Sequence, residues 1–193
     1  MQFLDTDLAG LMCVTLDVRQ DARGAFARLF CQREMASAGL ANGFVQVNHS
    51  HTARRGSVRG LHFQHPPATE AKVIRCIRGA VWDVAVDLRA GSPTFLQWRA
   101  FELRADAPRM VVIPDGFAHG FQTLTDDAEL LYFHSAFYAP EHEGGFHAQD
   151  GTLGIDWPLP IAQQSDRDQQ LPSIPAGFEG LAVPLNRTGR VNP

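Results

Sequence analysis

Short runs of β-forming residues, each closed by a turn signal, recur along most of this chain and leave little room for a helical architecture. Leu11 to Val18 is one such run. Asp21-Ala22-Arg23-Gly24 then turns the chain into the alternating stretch Ala25 to Phe30. Phe44 to Ser50 reads as a strand with Gln46 and Asn48 on one face, and His51 to Ser57 as a polar loop. Val73 to Arg78 and Ala80 to Arg89 read as two strands around Gly79. Alternation puts Lys72, Ile74 and Cys76 on one face of the first, and Asp83 and Asp87 on one face of the second. Phe95 to Leu103, Met110 to Ile113 and Glu129 to Tyr138 are further strands. Pro114 to Phe121 reads as a turn that delivers His119 between aromatics. Helical signal is confined to Glu34 to Ala38, stopped by Gly39. The expectation is an all-β jelly-roll sandwich or barrel with a few short helices, spanning residues 1–173. Residues 174–193 read as a C-terminal tail, weakly structured or packed on the surface.

The whole chain excludes some functions. Its 193 residues fit one domain. A formal net charge of -4 gives no electrostatic reason to expect nucleic acid as a partner. No apolar run approaches the roughly 18 residues that span a bilayer, so no membrane partner is expected. Met1 to Arg19 shows no signal-peptide pattern. Cys13, Cys31 and Cys76 are odd in number and lack CxxC spacing, which suits reduced thiols in a cytoplasm.

The chemistry concentrates in Arg59-Gly60-Leu61-His62-Phe63-Gln64 and in Glu70-Ala71-Lys72-Val73-Ile74-Arg75-Cys76. Lys72 is the only lysine in the chain; every other cationic side chain is arginine. An ammonium is a compact point charge, where a guanidinium is a wide planar fork. His62, His119, Lys72 and Tyr132 all lie in apolar runs, where an unpaired polar group costs roughly 2–7 kcal/mol. Together they supply a base, a cation and a weak acid, the set that proton abstraction beside a carbonyl requires. A metal site is the competing chemistry. The metal-binding jelly-roll pattern needs two histidines at HxH spacing, a glutamate and a later histidine. Glu70 and His119 fall in the right regions, but His62 is followed by Phe63-Gln64, so the HxH is missing.

These residues extend into a colinear set of motifs: Arg23-Gly24-x-Phe26, Gln46-x-Asn48-x-Ser50, Val58 to Gln64, Lys72 to Cys76, Asp83 to Arg89 and Ser92-Pro93-Thr94. The set continues with Ile113-Pro114-x-Gly116-Phe117-Ala118-His119-Gly120-Phe121, Tyr132, Tyr138-x-Pro140, Ile155-x-Trp157-Pro158 and Ser165-x-Arg167-Asp168. In this order and composition the chain resembles the dTDP-4-dehydrorhamnose 3,5-epimerase family of nucleotide-sugar epimerases. The resemblance implies a cupin-like jelly roll that inverts C3, C5 or both in a nucleotide-linked 4-keto-6-deoxy hexose, with neither metal nor other cofactor.

The resemblance also implies roles. His62 would be the base, Asp168 its dyad partner, Tyr132 the acid on the opposite face, and Lys72 the cation at the C4 oxygen. Arg59 and His119 would hold the diphosphate or sugar. Arg23, Gln46, Asn48, Tyr138, Glu143 and Arg167 would line the nucleotide and pyrophosphate region. The N-terminal strand of the family crosses to a second subunit, so a homodimer is implied. Some positions depart from the family pattern. Arg28 and Val47 stand where acidic residues are common, Phe133 replaces a lysine, and Ala148-Gln149-Asp150 replaces Trp-Asn-Asp. These departures bear on nucleotide choice, with Arg28 expected to be free for a phosphate contact. The competing readings are a metal-dependent cupin oxygenase, a ketoisomerase on the same sugar class and a non-catalytic sugar-nucleotide-binding module.

Overall fold

Apolar residues at alternate strand positions need a partner layer, and here two sheets supply it for each other. The structure is a computed structural model that describes residues 1–40 and 43–184. Its strands are β1 (Gln2–Asp5), β2 (Met12–Thr15), β3 (Val18–Asp21), β4 (Gly24–Ala27), β5 (Gln46–Thr52), β6 (Val58–Gln64) and β7 (Lys72–Arg78). They continue with β8 (Ala80–Asp87), β9 (Trp98–Arg104), β10 (Arg109–Ile113), β11 (Phe117–Thr123), β12 (Ala128–His134) and β13 (Glu143–Gly145). Two short helices complete the set, α1 (Gln32–Ser37) and α2 (Asp166–Gln169). One sheet runs β1-β2-β10-β7-β12-β5, the other β13-β6-β11-β8-β9, and β3 pairs with β4 as a separate ribbon. The fold is a cupin-like jelly roll.

Between the sheets, Ile74, Cys76, Val111, Ile113 and Leu130 of the first meet Val81, Ala85, Leu103, Phe117 and Phe121 of the second. The outer faces are covered as well. Val73, Met110 and Val112 pack with Met35 of α1, while Leu61, Phe63, Val84 and Ala118 pack with Phe146 and Leu153. Buried on both faces, the central strands read as continuous apolar runs.

That burial explains one departure from the sequence reading. His119 was expected on a turn, but it lies within β11, the middle strand of its sheet, flanked by β6 and β8. All seven β11 positions are buried, so it shows no polar alternation, and Gly120 made it look like a turn. Gly120 and Gly60 are glycines for a local reason: β6 and β11 approach so closely that a Cβ on Gly60 would lie 2.6 Å from the His119 carbonyl oxygen. A Cβ on Gly120 would lie 2.8 Å from that of Arg59.

Other boundaries move too. His51 and Thr52, expected in a loop, belong to β5 and pair with Glu129 and Ala128. β12 stops at His134, because the Ser135 hydroxyl takes the Ala71 backbone N–H, and Tyr138 therefore lies in the following loop. The stretch read as a tail is anchored where it is described. Leu181 exchanges backbone hydrogen bonds with Leu88 (2.7 Å) and Ala90 (2.9 Å), and Leu181 and Val183 are buried in the second cluster. Residues 185–193 lie outside the described residues.

Candidate active site

The strand parity that buries the core also builds a polar pocket. On the inner face of β7, Lys72 precedes Ile74 and Cys76; on β12, Leu130 is followed at alternate positions by Tyr132 and His134. On β6 and β11, His62 and His119 are cross-strand partners. The inter-sheet space is therefore apolar in its depth and polar at one end. A cavity of about 550 Å³ opens there, within the range of small-ligand pockets. Its wall includes Asn48, Arg59, His62, Lys72, His119, Tyr132, Tyr138 and Glu143, together with Val47, Ser50, Gln64, Glu70, Phe121 and His134.

His62 rises from β6 into this cavity with its side chain 32% exposed, and its Nε2 lies 2.7 Å from Asp168 Oδ1. Asp168 is placed by α2: Ser165 is the N-cap, and its hydroxyl accepts the Asp168 backbone N–H at 3.1 Å. The second Asp168 oxygen accepts the Gly60 N–H at 3.1 Å. Burial alone would push this carboxyl up. The His62 hydrogen bond and charge, with the Gly60 and Ser165 donors, bring it below the ordinary aspartate value instead. An ionised carboxylate only accepts, so in the neutral imidazole the His62 proton sits on Nε2 and Nδ1 keeps its lone pair.

Across the sandwich stands Tyr132 of β12. Burial pushes its phenol well above the usual tyrosine range, helped by the nearby Asp83 charge and opposed by the Ser50 hydroxyl and Arg59. The group is thus a neutral O–H donor at ordinary pH. Its ring meets the His119 ring edge to face at 5.9 Å and stacks on His134 at 6.0 Å. His119 is itself fixed by a buried bond of 2.9 Å from Nε2 to Asp83 Oδ2. Lys72 is almost buried, and its ammonium lies 3.2 Å from Glu70 Oε1.

The remaining expected residues divide. Gln46 adjoins the cavity by donating to Asn48 Oδ1 (3.1 Å), and Arg167 joins it through an ion pair with Glu143, which also accepts from the Tyr138 hydroxyl at 2.7 Å. Arg59 donates to the His51 carbonyl at 3.2 Å from the rim. Arg23 and Arg28 are not brought to the cavity of their own chain. Arg23 pairs with Asp21 at the tip of the β3–β4 ribbon, and the exposed Arg28 lies 2.9 Å from Glu34 through one guanidinium nitrogen. Glu70, weighed from sequence only as the glutamate of a metal site, and His134, not singled out there, are pocket groups as well; His134 follows Tyr132 at the same-face spacing of β12, and Glu70 lies just before β7. Among the described residues, no three His, Cys, Asp or Glu side chains converge as a metal-binding group.

The chain is similar in sequence and in fold to known proteins. The profile of the dTDP-4-dehydrorhamnose 3,5-epimerase family matches residues 5–175. A dTDP-4-dehydrorhamnose 3,5-epimerase of Pseudomonas aeruginosa is 48% identical over 151 residues, covering 76% of this chain and 82% of its own. Among solved structures, the epimerase of Legionella pneumophila in complex with dTDP-4-keto-L-rhamnose superposes with a TM-score of 0.87 at 35% identity. It covers 95% of this chain and 99% of its own. A 3'-monoepimerase of Streptomyces bikiniensis in complex with dTDP-quinovose superposes at 0.81 with 34% identity, covering 88% and 86%.

Proposed function

Because the chain belongs to the dTDP-4-dehydrorhamnose 3,5-epimerase family, and is an epimerase of nucleotide-linked sugars, we propose how its own residues divide the reaction. The observation that carries the reading is the placement of His62, paired with Asp168 of α2, on one sheet and a neutral Tyr132 hydroxyl on the other, with one cavity between them. A proton removed from one face of a ring carbon and returned to the other face inverts that carbon.

His62 Nδ1 takes the proton from the carbon next to the C4 ketone. The electron pair left behind moves onto the C4 oxygen as an enolate, which the Lys72 ammonium stabilises. Asp168 stabilises the imidazolium as it forms and holds its tautomer. Tyr132 then donates its proton to the opposite face, the ketone reforms, and solvent exchange resets both groups. Arg59 and His119 hold the diphosphate or sugar. Gln46, Asn48, Tyr138, Glu143 and Arg167 line the nucleotide end. The substrate is a dTDP-4-keto-6-deoxy hexose, inverted at C3, C5 or both.

The β3–β4 ribbon supports a homodimer. Three of its four paired positions on each strand or more are exposed, Phe26 at 72%, and a two-stranded ribbon alone is marginal in water. Docked on a second copy, it would bring Arg23 to that copy's cavity, in keeping with the N-terminal crossing of the family. The three free cysteines fit a reducing cytoplasm. No helix among the described residues is long and apolar enough to cross a membrane.

The test is proton NMR of the ring couplings after incubation with dTDP-4-keto-6-deoxyglucose. Couplings that report inversion at C3, C5 or both support the reading. A carbonyl moved away from C4 would instead mark a ketoisomerase, and an untouched sugar a binding module.

A further inference from the structure

Glu70 and His134 hold no part in the scheme above, yet both line the cavity and both are nearly buried, with side chains 9% and 12% exposed. They form the middle of one continuous chain of polar contacts. Lys72 Nζ and Glu70 Oε1 form an ion pair at 3.2 Å, and His134 Nδ1 lies 2.7 Å from Glu70 Oε2. Asn48 Nδ2 lies 3.3 Å from His134 Nε2, and Gln46 Nε2 donates to Asn48 Oδ1 at 3.1 Å. Gln46 Oε1 accepts the Tyr138 backbone N–H at 3.3 Å.

Chemistry gives every joint its direction. Burial alone would push the Glu70 carboxyl up, but His134 and Lys72 bring it below the ordinary glutamate value, so it is ionised and only accepts. In the neutral imidazole the His134 N–H on Nδ1 faces Glu70 and Nε2 offers a lone pair to the Asn48 amide N–H, which turns the Asn48 carbonyl toward Gln46. The chain is not needed to hold the strands together, since His134 and Lys72 are already register partners in the β12–β7 backbone ladder.

We infer that Glu70 and His134 are positioning residues for Lys72: they hold its ammonium at one point of the cavity wall and tie that point to Gln46 and Asn48 on β5. A lysine side chain is long and freely rotating, and an enolate oxygen is stabilised only by a cation already in place. Glu70 uses one oxygen on Lys72 and is kept from rotating by His134 on the other. Without its counter-charge, an ammonium this buried is costly and turns away from the position. The inference rests on the reading that Lys72 stabilises the enolate.

A double-mutant cycle between Glu70→Gln and Lys72→Met tests it, with steady-state kinetics on dTDP-4-keto-6-deoxyglucose and calorimetric dTDP binding as the folding control. Glutamine offers one oxygen, so it satisfies Lys72 or His134 but not both. Glu70→Gln should lower kcat about tenfold or more, with KM and dTDP affinity little changed, and should cause no further loss in the Lys72→Met background. If Glu70→Gln does not fold, His134→Leu replaces it in the same cycle with the same expected pattern. An equal loss in both backgrounds, a KM effect without a kcat effect, or no loss overturns the inference while leaving the role of Lys72 standing. Wild-type kcat in Lys72→Met overturns both.

Discussion

His62 and His119 sit directly opposite each other on β6 and β11, and each is hydrogen-bonded through Nε2 to its own carboxylate. The two dyads differ in access. The His62 side chain is 32% exposed into the cavity, while His119 and Asp83 are 5% and 0% exposed. His62 is thus the more accessible of the two, and His119, held by Asp83, is the more firmly fixed part of the cavity wall.

This difference separates their effects on stability. Asp83 Oδ1 already has no hydrogen-bond partner among the described residues, and Oδ2 depends on His119. His119→Ala would strand a fully buried carboxylate and should cost about 2 kcal/mol or more. Asp168 keeps its Gly60 donor when His62 is removed, so His62→Ala should cost under about 1 kcal/mol. Denaturant unfolding of the two variants checks the order, and equal losses would contradict it.

Asp168 should show itself in both activity and acid stability. Asn at this position can present an N–H to His62 and so reverse its tautomer, lowering kcat by about two orders of magnitude or more. The Asp168 carboxyl lies below its ordinary value of 3.8 in the folded chain. Its stabilising contribution is therefore fully present above that value and is lost as pH falls through the lower folded one. The stability gap between wild type and Asp168→Asn should shrink as pH falls below about 4. Melting temperatures across that range test the sign; a gap that widens in acid would refute it.

The sequence showed some of this more readily than the rest. Strand alternation put Lys72, Ile74 and Cys76 on one face of β7, which is the face turned between the sheets. The family motifs named His62 and Asp168, although more than a hundred residues separate them and no local pattern joins them. Alternation failed where both faces of a strand are buried, and so β11 read as a turn. The Arg28–Glu34 ion pair reaches α1, a contact that spacing does not reveal. The contact of Glu70 with His134 was hidden for a related reason. It joins the segment before β7 to the end of β12, and the register that brings them together was not legible in the chain.

Tyr132→Phe removes the donor on the opposite sheet while keeping the ring between His119 and His134. Epimerised product should form about a hundredfold more slowly. Exchange of substrate protons with solvent should persist, because the base is intact. Parallel measurement of product and of exchange in this variant distinguishes the two steps; loss of both together would make Tyr132 part of the base.

The central claim is that His62 removes a ring proton next to the C4 ketone. Turnover of dTDP-4-keto-6-deoxyglucose in heavy water, followed by NMR and mass spectrometry, tests it most directly. Wild-type protein should place deuterium at C3, C5 or both, at the carbons that invert. His62→Asn should still bind dTDP and should label no position. Wild-type protein that binds the sugar nucleotide but incorporates no ring deuterium, or a His62→Asn variant that labels at the wild-type rate, would contradict the account.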